Sequence, residues 1–346
     1  MRDEDALLYL CCTQEMPADR LEKILVIGQQ GAIDWSLVFS LARNHGVAPL
    51  VYHQLQVARA NGLIIPDGVA DQFKQASYQN MIAKQARCRV LFDALNYLHS
   101  NGLDAMVIKG MALDILVYDE FWYTSSNDVD IVLRPQRSGH PYAELRDVQR
   151  ELFRTGIEFE FCAHHDVNLN GALPIDFERI WHNAMHAEFY GQSIYLMAPE
   201  DMLLSVCVNS CRKRYFRLRS LCDMAEIVKR FPALDWAQFT ASAMEYQCNN
   251  IVYSALSVMQ ATVGSPLPED VFDRLAFGGM RRRITDSAIQ FVLRNVPLSS
   301  LSYYEGYDFI GRKAGWSLLL PYTTYHLQQM SSKIHEALTT SRTRAR

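Results

Sequence analysis

The stretch Val107–Leu133, VIKGMALDILVYDEFWYTSSNDVDIVL, decides how the chain is read. It opens with an apolar run that ends on Lys109-Gly110. It closes with a second apolar run that carries Asp128 and Asp130 among Val129, Ile131, Val132 and Leu133. Residues two apart in a strand face the same side of a sheet. The two carboxylates therefore point together from a segment that otherwise favours burial. Like charges on an apolar strand are costly unless something positive neutralises them. A divalent cation with oxygen ligands meets that need, and Mg²⁺ commonly takes one or two protein carboxylates plus substrate phosphates. Lys109-Gly110 is the complement. Glycine lets a phosphate approach the backbone, and N–H groups at a following helix start favour an anion.

Working outward, LDAMVIKG predicts a short strand and MALDILVYDEF a helical insert of about three turns. TSSN is a polar turn, and DVDIVL a second strand ended by Arg134-Pro135. PYAELRDVQRELFRTG reads as a helix, with Pro141 near its start and Gly156 at its end. IEFEFCAHHDVNL then alternates over thirteen residues. Phe159, Phe161, Ala163, Val167 and Leu169 share one face; Glu158, Glu160, Cys162, His164, Asp166 and Asn168 share the other. That pattern predicts a half-buried strand or a bending hairpin. A two-metal site needs a third carboxylate on a neighbouring strand, and this polar face offers Glu158, Glu160 and Asp166. His164 and His165 face opposite ways in a strand and do not make a joint ligand pair.

The flanks are helical. Residues 1–60 read as helices that stop at Gly28 and Gly46. A long pattern from Val69 to Ser100 puts Phe73, Tyr78, Ile82, Val90, Leu91, Leu95 and Leu98 on one broad face, closed by Asn101-Gly102. After NGALP the chain returns to helices, among them PEDMLLSVCVNSCRK, LRSLCDMAEIVKRF and DWAQFTASAMEY. The expected fold class is α+β: a helical region at 1–102, a small mixed-sheet α/β core at 103–180 and a helical region at 181–346. Arg212, Lys213, Arg217 and Arg219 read first as a solvated helix face and second as a phosphate-facing patch, with Lys213 the candidate for nucleotide binding.

Composition sets further bounds. Of 346 residues, 49% are hydrophobic and 21% charged, ordinary values for a soluble globular chain. A formal net charge of -4 gives no bulk electrostatic case for nucleic acid. No apolar run is long enough for a membrane span, and MRDEDALLYL is not a signal peptide. Eight cysteines without a regular framework suit reduced thiols in a cytoplasm. With no CxxC pair, a zinc site is not expected.

The KG, the Leu-rich helix, Tyr118 and the DxD followed by three apolar residues together resemble the uncharacterised nucleotidyltransferase family of the polymerase-β-like superfamily. IDWSLVFSLARNHGVAPLVYHQL is similar to that family's N-terminal helix pair, and APEDMLLSVCVNSCRKRYFRLRSLCDMAEIV to its helical C-terminal part. The resemblance covers roughly residues 30–260. It implies a mixed sheet backed by helices and transfer of a nucleoside monophosphate from Mg-NTP (or Mn-NTP) to an acceptor. The acceptor, a protein, peptide or small molecule, is left open. It implies Gly110 at the triphosphate with Lys109 beside it, and Asp128, Asp130 and a third carboxylate on the metals. The acidic member of the family's third strand is best matched by Asp166, with Glu160 and Asp176 as competitors. Two positions depart from the pattern. Thr124 stands where the family usually has arginine, and the residues after Asp166 lack the family's His and Trp. These departures motivate two alternatives: a nucleotide- or partner-binding protein on the same fold, or transfer of another activated group such as a sugar or phosphate.

Overall fold

The computed structural model describes residues 1–30, 33–125, 128–134, 160–161, 173–212, 217–275 and 278–299. The fold is α+β, a small mixed sheet flanked on both chain sides by helices. Five helices precede the sheet: α1 (Asp3–Cys11), α2 (Ala18–Gln30), α3 (Trp35–Asn44), α4 (Ala48–Ala60) and α5 (Asp67–Ser100). The core segment gives β1 (Ala105–Ile108), α6 (Lys109–Leu116), β2 (Asp130–Leu133), β3 (Glu160–Phe161), α7 (Phe177–His182), β4 (Met185–Phe189) and β5 (Gln192–Leu196). Among the described residues six helices follow: α8 (Pro199–Arg212), α9 (Leu218–Arg230), α10 (Trp236–Glu245), α11 (Asn249–Thr262), the single turn α12 (Val271–Arg274) and α13 (Gly279–Asn295).

The strand order is β3-β2-β1-β5-β4. β1 is buried along its whole length, as its AMVI sequence requires. It runs antiparallel to β2 and parallel to β5. The register pairs Ala105 with Leu133 and Ile108 with Asp130. The end of β1 and the start of β2 therefore meet at one edge of the sheet, which places Lys109-Gly110 beside the DxD. β2 begins at Asp130, so Asp128 lies in the segment leading into the strand, not inside it as DVDIVL suggests. The cause is the partner strand: the chain turns into α6 at Lys109, and the ladder has no residue opposite Asp128.

Three further local readings change. α6 is about two turns, ending before Val117, because Tyr118 turns inward to bond Asp223. Gly28 does not end α2, which runs on to Gln30. A side chain there would collide with Leu63 Cδ1, so this glycine serves close packing inside a helix. Residues 185–196, expected to be helical, form the β4–β5 hairpin. Its turn is Tyr190-Gly191, both left-handed, with φ of 50° and 80°. Left-handed pairs are what a two-residue hairpin requires, and Asn-Gly is their usual sequence signal. Tyrosine in the first place hides the turn.

Helix boundaries follow capping chemistry. Asp34, Asp176 and Asp235 each accept an N–H from the third residue on, at 3.0, 3.2 and 2.9 Å, opening α3, α7 and α10. One contiguous apolar core joins residues from α1 to α13. On α5, Phe73, Leu91, Leu95 and Leu98 enter it as expected, whereas Tyr78 and Ile82 are exposed. The seven described cysteines are buried, and none forms a disulfide among the described residues. Among the described residues no helix is long and apolar enough to cross a membrane.

Candidate active site

A cleft of about 250 Å³ opens at the edge where β1 ends and β2 begins. One wall is the stretch that opened the sequence reading: Lys109, Gly110, Ser125, Asp128 and Asp130 all line it. The floor is apolar, with Met197 after β5 and Met202 and Val206 on α8. Arg217, Arg219 and Asp223 at the start of α9 line it too, with Ser205 and Asn209 of α8.

The carboxylates differ in setting. Asp128 is exposed, while Asp130 is only 4% exposed at the first position of β2. Lys109 Nζ lies 3.0 Å from Asp130 Oδ1 and is itself largely covered. Lysine here is neither a solvated strand end nor a group already free for phosphate; it neutralises the buried carboxylate. Its backbone is left-handed, φ 55°, a conformation that costs a non-glycine residue roughly 1 kcal/mol or more and that clusters at functional sites. Gly110, the next residue, is buried in the first turn of α6 and has no side chain to bar an approaching ligand.

The arginine wall corrects the first reading of Arg217 and Arg219 as a solvated face. The Arg219 side chain is only 12% exposed; its Nη1 donates to the Ser125 carbonyl, and its Nε lies 3.7 Å from Asp223 Oδ2. Asp223 also accepts from Tyr118 Oη at 2.8 Å, a buried bond that ties the end of the α6 segment to α9. Asp223 is thus a hydrogen-bond partner, and it also lines the cleft. Gly46, between α3 and α4, supports the same wall. At φ 73° its carbonyl accepts the Ser125 N–H at 3.1 Å, and a side chain there would meet both arginines.

Beneath the cleft lies a buried ion pair, Lys84 of α5 with Asp114 of α6. Burial drives both groups toward their neutral forms: the lysine pKa falls, and the aspartate is pushed up to about 6 despite the lysine beside it. Thr124 Oγ1 lies 3.4 Å from Asp114 Oδ1. Thr124, the position that departs from the resemblance, is therefore buried against this pair. Asn80 completes the support by donating to the carbonyls of Trp122 and Thr124 at 2.7 and 3.2 Å. The loop that leads to Asp128 is held from α5, from Gly46 and from α9. Sequence reading missed this support. Its one signal is spacing: Ser77, Lys84, Leu91 and Leu98 recur every seven residues, which sets the lysine on the buried face of α5.

His45 anchors the start of α9. Its Nδ1 accepts the Leu218 N–H at 3.3 Å, so that nitrogen is unprotonated. Burial, with help from the Arg217 charge, lowers its pKa to about 4. The unfolded chain then takes up a proton near pH 6.5, before the native state does. The stability contributed by neutral His45 is present above that pH and is lost as pH falls toward 4. The shift corresponds to about 3 kcal/mol. Asp114 and Asp201, both raised to about 6 chiefly by burial, act with the opposite sign over nearly the same window. The test is therefore a difference. In urea unfolding at pH 7 and pH 4, His45→Asn, which keeps an acceptor near Nδ1, should lose about 3 kcal/mol less than the wild type. Equal losses would refute the assignment.

Of the residues singled out from sequence, Lys109, Gly110, Asp128 and Asp130 come together. Asp166 and Lys213 lie outside the described residues, as does most of the alternating segment. Glu160 belongs to β3, where it is the register partner of Asp130. Among the described residues no three carboxylate, histidine or cysteine side chains gather as a metal cluster.

A central strand leading into Lys109-Gly110, an antiparallel neighbour opening on Asp-x-Asp, and Arg217 and Arg219 thus line one cleft. A family model described as uncharacterised nucleotidyltransferase matches residues 31–264, and the chain belongs to that family. Comparison with curated proteins and with solved structures gives no match.

Proposed function

We propose that this protein transfers a nucleoside monophosphate from a metal-bound nucleoside triphosphate to a hydroxyl of a protein, peptide or small-molecule acceptor in the cytoplasm. The observation that carries the reading is the convergence of Lys109, Gly110, Asp128 and Asp130 on one cleft faced by Arg217 and Arg219. The donor set fits a hard cation. The described lining residues offer carboxylate, hydroxyl and amide oxygens and no thiol or imidazole. Asp128 and Asp130 would hold Mg²⁺ or Mn²⁺ with a third carboxylate from the 158–168 segment, Asp166 or Glu160. The register of β3 against Asp130 favours Glu160. The bound ions would polarise the phosphoryl group and activate the acceptor.

The chain's own groups do the rest. Gly110 lets the triphosphate reach the α6 N–H groups. Arg217 and Arg219 stabilise the charge that grows on pyrophosphate as the α–β phosphoanhydride breaks and the acceptor oxygen bonds the α-phosphorus. The acceptor proton passes to a carboxylate of the site. Tyr118 and Asp223 fix Arg219, and Met197, Met202 and Val206 keep the floor dry. Titration calorimetry with Mg-ATP, Mg-GTP, Mg-CTP and Mg-UTP tests this. At least one should bind, and the Asp128→Ala/Asp130→Ala variant should lose it. Binding of none, or binding unchanged in the variant, overturns the reading. A second reading, nucleotide binding without transfer, draws on the Lys109 ammonium already sitting on Asp130. It predicts nucleotide binding with no pyrophosphate release.

A further inference from the structure

We propose that Lys109 is an exchangeable counter-ion: it holds Asp130 while no cation is bound and turns to the triphosphate once a divalent cation takes that carboxylate. The inference rests on the metal-dependent reading above and adds an order of events to it. Among the described residues, the two largely covered lysine–aspartate pairs show why only one can exchange. Lys84–Asp114 is sealed, with side chains 0% and 1% exposed, and neither residue lines the cleft. Lys109–Asp130 sits at the cleft wall, 18% and 6% exposed, and both residues line it.

The charges of the cleft point the same way. Its described lining carries three cations, Lys109, Arg217 and Arg219, and three carboxylates, Asp128, Asp130 and Asp223. These six charges cancel, so the described lining by itself has little net pull on a polyanion. Arg219 stands beside Asp223, and Lys109 on Asp130. A dication on Asp128 and Asp130 adds two positive charges and repels the ammonium from the carboxylate it shares. Lysine is suited to such a move, being a compact charge on a flexible four-carbon stem, whereas arginine in a planar fork is not. The left-handed backbone at Lys109 launches the stem from the first residue of α6, next to the Gly110 approach. Metal and triphosphate then bind with positive linkage: the metal frees the lysine, and the lysine meets the phosphates.

The test uses Mn²⁺ alone, followed by electron paramagnetic resonance of the free ion, and Mn²⁺–tripolyphosphate, which carries no base. Lys109→Met removes the competing charge, and Lys109→Gln keeps a hydrogen-bond donor for Asp130 should the methionine variant fold poorly. Both variants should bind Mn²⁺ alone about tenfold more tightly than the wild type, the order expected for removing a like charge from a partly covered site. Both should bind Mn²⁺–tripolyphosphate about tenfold more weakly. Opposite signs for the two ligands are the signature, because a merely structural lysine would weaken both. Mn²⁺ binding that is lost in Asp128→Asn/Asp130→Asn but unchanged or weaker in the lysine variants overturns the exchange and leaves the metal site standing. Mn²⁺ binding unchanged in Asp128→Asn/Asp130→Asn, or absent from the wild type, overturns both.

Discussion

Asp128→Asn should lower the proposed metal-dependent triphosphate turnover, measured as pyrophosphate release, by on the order of 10³-fold while leaving thermal stability within about 1 °C of the wild type. The two halves of that expectation come from one observation. Asp128 is exposed and precedes β2, so it contributes little to the fold, and surface substitutions usually stay within about 0.5 kcal/mol. In the proposed site its carboxylate is nonetheless a ligand that an amide replaces poorly. Asp130→Asn should abolish turnover as fully but also lower stability, because it leaves the largely covered Lys109 ammonium without that partner charge. A variant at Asp128 that keeps its turnover would remove the carboxylate pair from the mechanism.

Lys84→Met is the second large effect, and it falls on stability. The substitution leaves Asp114 buried without its counter-charge, a loss of about 3–5 kcal/mol for broken buried pairs. The double variant Lys84→Met/Asp114→Leu should recover most of it, since a well-packed apolar pair often matches a buried ion pair. Acidity supplies a sign check. The native Asp114 pKa is already about 6, above its unfolded value, and rises further without Lys84. The charge part of the single variant's penalty is therefore full only above the variant's raised value and is lost as pH falls through about 6, where Asp114 is protonated in both proteins. Urea unfolding at pH 7.5 and pH 5 measures both points. A loss under about 1 kcal/mol at pH 7.5 would show that the pair does not hold the structure. Because Thr124 lies on Asp114, and Asn80 fixes the same loop, the surviving single variant should also bind nucleotide more weakly.

What the sequence disclosed was local chemistry. Four buried apolar residues followed by Lys-Gly are enough to mark β1 and the turn into α6. An Asp-x-Asp opening on an apolar run is enough to mark the edge of β2. Asn101-Gly102 closes α5 where the pattern says it should, with Gly102 left-handed. What it concealed depends on partners distant in the chain. Lys84 and Asp114 are thirty residues apart and look like ordinary charges until α5 packs over α6. Arg217 and Arg219 look solvated until Gly46 and Ser125 close against them. Tyr78 and Ile82 match the periodicity of the buried stripe yet face outward, because periodicity marks a face but not how much of a 34-residue helix is covered. The β4–β5 hairpin was hidden by a tyrosine in a position that asparagine usually marks.

The central claim is that Asp128 and Asp130 hold a divalent cation against a triphosphate lying between Gly110 and the arginines of α9. A crystal of the full chain soaked with Mn²⁺ and a non-hydrolysable nucleoside triphosphate tests it most directly through the anomalous signal of the metal. The account predicts a Mn²⁺ peak at about 2.0–2.3 Å from oxygens of both carboxylates, phosphates at Gly110, Arg217 and Arg219, and Lys109 moved off Asp130. A nucleotide bound elsewhere, or phosphates in the cleft with no metal peak at Asp128 and Asp130, would contradict it.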